Sequence, residues 1–208
     1  MNNENKMDEL DGAQIFSDWA NLTGTPQNTA PEKNDEFSLD NLMSSGGEDY
    51  WLQKFQETNL TGMDLVAVKL IPAYIHDFAA EQAQLKAQTH AFLTNLATTH
   101  LNDLRIAGLS EDQINGLNRG DLPINWTVHL KYPVAYGGVI TPDNLVLIPH
   151  HPFHESLHHF INQQTITDAG VMTPDTLYIP VPKTSVYVPF GTQEMATTIT
   201  HFETMGAK

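Results

Sequence analysis

Cysteine is absent from the 208-residue chain, which excludes disulfides, thiolate nucleophiles and every cysteine-based zinc site. A transition metal would have to be held by His, Asp or Glu. Basic residues are scarce: 10 Lys and Arg stand against 25 Asp and Glu, a net charge of −15. Broad phosphate-binding surfaces draw affinity from Lys and Arg that displace counterions, so an extended nucleic-acid interface is disfavoured. A small site remains feasible where a metal ion supplies the local positive charge. No apolar run approaches the roughly 20 residues that a helix needs to cross a bilayer, and no membrane insertion is expected. The first residues, "MNNENKMDELDG", lack the basic start and apolar stretch of a secretory signal. The expectation is synthesis in the cytoplasm, with any export independent of a cleaved signal.

The charge that is present is uneven. Residues 1–60 carry 12 acidic and 3 basic groups, net −9, and residues 61–208 carry 13 and 7, net −6. Residues 1–48 are rich in Asn, Asp, Glu, Ser, Gly, Thr and Pro without a sustained period, which reads as an acidic flexible segment. Within it, "AQIFSDWANL" can form a short helix with Ile15, Phe16 and Trp19 on one face. Residues 49–208, at 40% apolar content chain-wide, are sufficient for one domain with a core.

"EDYWLQKFQE" predicts a short amphipathic helix anchored by Tyr50, Trp51 and Phe55. From Asp64 to Leu104 the pattern reads as helix with a break at Pro72. Ile75, Phe78, Leu85, Phe92 and Leu96 are then compatible with a buried stripe. His76, His90 and His100 on this stretch are too scattered to form a site. Gly108 ends the helix, and Ser110 is a good N-cap for a short one containing Asp112 and Gln113. "WTVHLKY" and "NLVLIP" read as strands turned by Gly137, Gly138 and Pro142, and "HESLHHFINQQ" as a helix. "TLYIPVP" and "SVYVPF", with their prolines, read as one or two edge strands or a hairpin.

Among the 10 histidines, His154 and His158 are four apart, which on a helix places both on one face within reach of one ion. His129 lies on the first strand before that helix, and a ββα arrangement brings it to the same place. Three imidazoles leave positions open for water and a phosphate oxygen.

The stretch from Trp126 to Gln163 resembles the HNH endonuclease motif, the ββα-metal finger, in the form found in colicin-type DNases and polymorphic bacterial toxins. The resemblance rests on Trp126, Val128, His129, Pro133, Gly137 and Gly138, then Asn144, Leu145, Leu147 and Ile148, then His154 and His158. The lead-in "LRIAGLSEDQINGLNRGDLP" is also similar, so it covers roughly residues 104–163. It implies an α+β fold: a mostly helical domain with the finger at about 124–163 and a short C-terminal β segment. It implies that His129, His154 and His158 bind one divalent ion (Zn²⁺, Ni²⁺ or Mg²⁺) and that Asn144 pins the loop between the strands.

The position after His129 matches the general base, and here it is Leu130. Leucine accepts no proton, and general-base catalysis typically contributes roughly 10²–10⁴-fold. The expectation is therefore an impaired DNA endonuclease, with Leu130 either native or an inactivating substitution. His150 and His151 are the alternative bases, and His159 points away from the His154/His158 face. Lys131, Arg105 and Arg119 are candidate phosphate contacts, and Glu155 a candidate partner orienting a ligand. By the same resemblance, the implied setting is a secreted antibacterial effector delivered into a target bacterial cell, with a type VI system as the route. Its partners would be DNA, a cognate immunity protein and a secretion adaptor or chaperone. The alternative reading is a non-catalytic binding or regulatory protein with a structural metal finger.

Overall fold

The computed structural model describes residues 47–69, 71, 77–167, 170–171, 175–188 and 195–202. Residues 1–46 of the acidic segment, on which the "AQIFSDWANL" helix is expected, together with Pro72, Ile75 and His76, lie outside the described residues. The fold is α+β. In chain order the elements are α1 (Gly47–Gln56), β1 (Met63–Lys69), α2 (Phe78–Thr99), α3 (Leu101–Ile106), α4 (Glu111–Leu117), β2 (Trp126–Leu130), β3 (Leu145–Pro149), α5 (Glu155–Thr165), β4 (Ile166–Thr167), β5 (Gly170–Val171), β6 (Thr176–Pro182) and β7 (Ile199–His201). Among the described residues no helix is long and apolar enough to cross a membrane.

The antiparallel pair β2–β3 divides two hydrophobic cores. Its register sets Val128 opposite Leu147, His129 opposite Val146 and Leu130 opposite Leu145. Successive side chains on a strand face opposite sides. Val128, Leu130, Leu145 and Leu147 accordingly enter a first core with Leu85, Phe92 and Leu96 of α2 and Leu117 of α4. Val146 and Ile148 enter a second core built from Trp51 and Phe55 of α1, Leu157, Phe160 and Ile161 of α5, and the β1/β6 sheet. Thr127 and His129 have the parity of the second side, and that side is where α5 packs.

Local signals explain the helices. The Asp77 carboxylate accepts from the Ala80 amide and caps α2. Leu109 N–H returns to the Leu104 carbonyl across Gly108, whose φ of 94° suits a helix stop. Ser110 and Gln113 form the expected capping box of α4. In α1, Trp51 and Phe55 both stand edge-on to Phe160 of α5, at 5.8 and 5.7 Å. Gln164 ties α5 to β6 by imitating a strand: its Oε1 accepts from Tyr178 N at 2.8 Å and its Nε2 donates to Tyr178 O at 2.7 Å.

The structure departs from the sequence expectation in two elements. The start of the stretch expected as helix from Asp64 is the strand β1, central in a sheet of order β6-β1-β7. Within "MDLVAVK", Leu65 to Val68 form a short continuous apolar run with two β-branched valines, and such a run has no period to separate a buried strand from a helix. Among the described residues the two C-terminal segments do not pair with each other. β6, with Pro180 and Pro182, is an edge strand antiparallel to β1, as its prolines suggest. The second segment leaves that sheet and makes one parallel bridge, Val186 to Leu147 of β3.

Candidate metal centre

His129 is carried by β2, and His154 and His158 by the start of α5 and the turn before it. Strand parity aims His129 at α5, and the spacing of four stacks the other two on the facing side of the helix. The ring centroids lie 5.1 Å (His129–His154), 5.2 Å (His129–His158) and 4.3 Å (His154–His158) apart. Their relative exposures are 4%, 4% and 9%, so the cluster is almost closed to solvent.

One ligand nitrogen from each ring can be chosen so that all lie within 4.8 Å of one another, and the three side chains can hold a metal ion. The Nε2 atoms of His154 and His158 face each other at 2.9 Å. Nitrogens bound tetrahedrally at about 2.0–2.1 Å to zinc stand roughly 3.3 Å apart, so this pair is already close to coordination spacing. Two facing imidazole nitrogens share at most one proton. A cation would replace that proton and could take a nitrogen of the third ring as well.

Electrostatics favour the ligand form. Burial, then the neighbouring His154 and His158, pushes the His129 pKa well below its ordinary 6.5. Burial, then His158 and His150, lowers His154 to about 3. Both rings are neutral at pH 7, the state that coordinates metal.

Asn144 holds the loop that closes this hairpin. It is 6% exposed. Its Oδ1 accepts from Tyr132 N at 2.8 Å, and its Nδ2 donates to Tyr132 O at 2.8 Å and Val139 O at 2.9 Å. The Asn144 carbonyl accepts from Lys131 N at 2.8 Å. Gly137 takes φ 92°, which favours glycine. A Cβ on Gly138 would overlap the Tyr132 carbonyl, the same group that Asn144 holds. The glycine pair and the asparagine thus act on one loop.

The remaining candidates are placed as follows. Leu130 is 7% exposed and its side chain belongs to the first core, so it does not share the His129 side of the strand. Lys131 is half-buried, and desolvation lowers its pKa against the opposing pull of Asp143. Arg105 pairs with Glu111 through Nε at 2.7 Å and Nη2 at 3.2 Å. Arg119 pairs with Asp121 at 2.9 Å. Both guanidinium forks are occupied by carboxylates, and a phosphate would have to displace them. Glu155 receives no triad imidazole: its Oε2 is 2.7 Å from His151 Nδ1, and its Oε1 is 3.6 Å from His150 Nδ1. His150 stacks obliquely beside His154, with centroids 5.3 Å apart. His159 Nε2 meets Gln163 Nε2 on the exposed side of α5, and His90 and His100 lie on the helical layer apart from the triad.

No family model matches the chain, and no solved structure matches it. The chain is similar to a protein of Escherichia coli (strain K12) named "Uncharacterized protein YhhZ", at 29% identity over 137 residues, 64% of this chain and 33% of YhhZ. The matched part therefore spans about a third of YhhZ.

Proposed function

We propose that this protein is an HNH-type endonuclease scaffold that uses one divalent metal ion on DNA phosphodiesters. The observation that carries this reading is the ββα convergence: His129 from the first strand meets His154 and His158 from the helix, across a loop pinned by Asn144. An all-imidazole donor set without a carboxylate suits Zn²⁺ or Ni²⁺ better than Mg²⁺, which prefers oxygen ligands. Bound there, the ion would polarise a phosphoryl oxygen and stabilise the leaving oxygen. The chain itself contributes the neutral ligands and a loop pinned by Asn144. Lys131 is the basic side chain nearest His129 in the chain and the first choice for a phosphate contact. Leu130 supplies no proton acceptor, so hydrolysis is impaired unless another group takes that role.

The biological setting follows from the resemblance alone: an antibacterial effector, delivered into a target cell through an adaptor and restrained by an immunity protein. A second reading has its own observation. Leu130 packs as an ordinary core residue, and with the acidic balance this favours a binding protein whose metal finger is structural.

Nicking of supercoiled plasmid by the purified full chain, with Zn²⁺, Ni²⁺, Mn²⁺ or Mg²⁺, separates the two. Metal-dependent nicking that disappears in His154→Ala supports the nuclease. If neither the chain nor Leu130→His nicks DNA while both bind Zn²⁺ in calorimetry, the binding-protein reading stands instead.

A further inference from the structure

We propose that His150 is the proton acceptor of this site, with Glu155 as its positioning residue. This inference rests on the endonuclease reading above. Leu130 occupies the sequence position of the base, yet its side chain lies in the first core, 7% exposed. Any acceptor must instead stand where water and a phosphodiester can enter. The triad is nearly closed, so entry is from its rim.

His150 stands on that rim. Its side chain is 45% exposed, while its ring lies 5.3 Å from that of the ligand His154. The backbone there is fixed, since His150 N donates to Asn125 O at 2.8 Å and locks the start of the turn to the loop before β2. Glu155 Oε1 lies 3.6 Å from His150 Nδ1, within ion-pair range of the ring though beyond a hydrogen bond. Among the described residues no hydrogen bond engages His150 Nε2, which leaves that nitrogen for a water. His151 shares the Glu155 carboxylate at 2.7 Å, but its side chain is 75% exposed and among the described residues no ring contact joins it to His154.

In the step, His150 Nε2 accepts a proton from water as the water oxygen forms a bond to phosphorus. The phosphorus–oxygen ester bond breaks, its electron pair leaves on the sugar oxygen, and solvent protonates that oxygen. His150 then returns its proton to solvent.

The test measures plasmid nicking and Zn²⁺ binding by calorimetry on the full chain, His150→Ala, His150→Gln and Glu155→Gln, with the exposed His159→Ala as control and circular dichroism to verify folding. The expected result is a roughly 10²–10⁴-fold loss of nicking in both His150 variants, with Zn²⁺ affinity within about twofold of the parent. Glu155→Gln should lower kcat several-fold at unchanged KM. Nicking that survives in the His150 variants overturns the proposal and leaves the nuclease reading intact. A parallel loss of Zn²⁺ affinity overturns it by making His150 a ligand. A silent parent with an active Leu130→His overturns it while keeping the scaffold. Silence of the parent and of Leu130→His, with Zn²⁺ bound, overturns both.

Discussion

Replacing Asn144 by alanine removes three hydrogen bonds at once, to Tyr132 N, Tyr132 O and Val139 O, from a side chain that is 6% exposed. Each such bond contributes about 0.5–1.5 kcal/mol net, and buried groups left without a partner cost more. Tyr132 is only half-buried, so water recovers part of the loss at one end of the loop. The expected destabilisation is about 3 kcal/mol. For a domain of this size each kcal/mol moves Tm by roughly 2–4 °C, giving a fall of about 6–12 °C. Asn144→Asp should be worse at neutral pH, because a carboxylate keeps the bond from Tyr132 N but faces the two carbonyls. Metal-free thermal melts by circular dichroism measure the first effect. Zn²⁺ calorimetry measures the second consequence, since a loosened loop misplaces His129 and should weaken affinity by about tenfold or more. A Tm drop under 2 °C for Asn144→Ala, with unchanged Zn²⁺ affinity, would refute the idea that this side chain organises the site.

Three further outcomes follow from the same geometry. In the metal-free protein, His129 and His154 are held below their ordinary pKa of 6.5. The unfolded chain therefore binds protons that the folded one refuses, and stability present above pH 6.5 is lost as pH falls toward the folded values. The two rings together should cost roughly 2–3 kcal/mol between pH 7 and 5.5. Urea titrations of His129→Gln/His154→Gln beside the parent would show it as a shallower pH dependence in the variant, and equal slopes would contradict it. Gly138→Ala must push away the Tyr132 carbonyl and should destabilise by about 2 kcal/mol or more; a melt within 1 °C of the parent counts against the close approach. Leu130→His puts a polar ring into the first core and should cost about 2–4 kcal/mol in urea unfolding. A loss under 1 kcal/mol would mean that position 130 has access to solvent.

Much of the site was legible because its signals are local. The i, i+4 pair of His154 and His158, the strand carrying His129 and the turn residues between β2 and β3 each follow from short-range periodicity or backbone chemistry. The long stretch after Asp64 was not legible in the same way. Met63–Lys69 is a strand because β6 and β7 flank it, and those partners lie more than a hundred residues downstream. Pairings of side chains were equally hidden. Spacing places Arg105 and Arg119 near the finger in the chain, but not that Glu111 and Asp121 hold them. Glu155 stands beside a ligand in sequence, yet a helix turns neighbours about 100° apart, and its carboxylate serves the rim histidines instead.

Leu130 shows how one strand can separate adjacency in sequence from adjacency in space. The period of two that aims His129 at α5 also aims Leu130 at α2 as long as the residue remains in register with Leu145. A histidine at position 130 could reach the triad side only where the strand ended or twisted before it. Here the ladder extends through residue 130, and the Lys131 amide continues it by donating to the Asn144 carbonyl at 2.8 Å. Leu130 thus contributes to the first core and to the register that positions His129. Proton transfer and strand register make opposing demands on this position. A chain that satisfies register here must find its acceptor outside β2, and the His150–Glu155 rim is where this structure offers one.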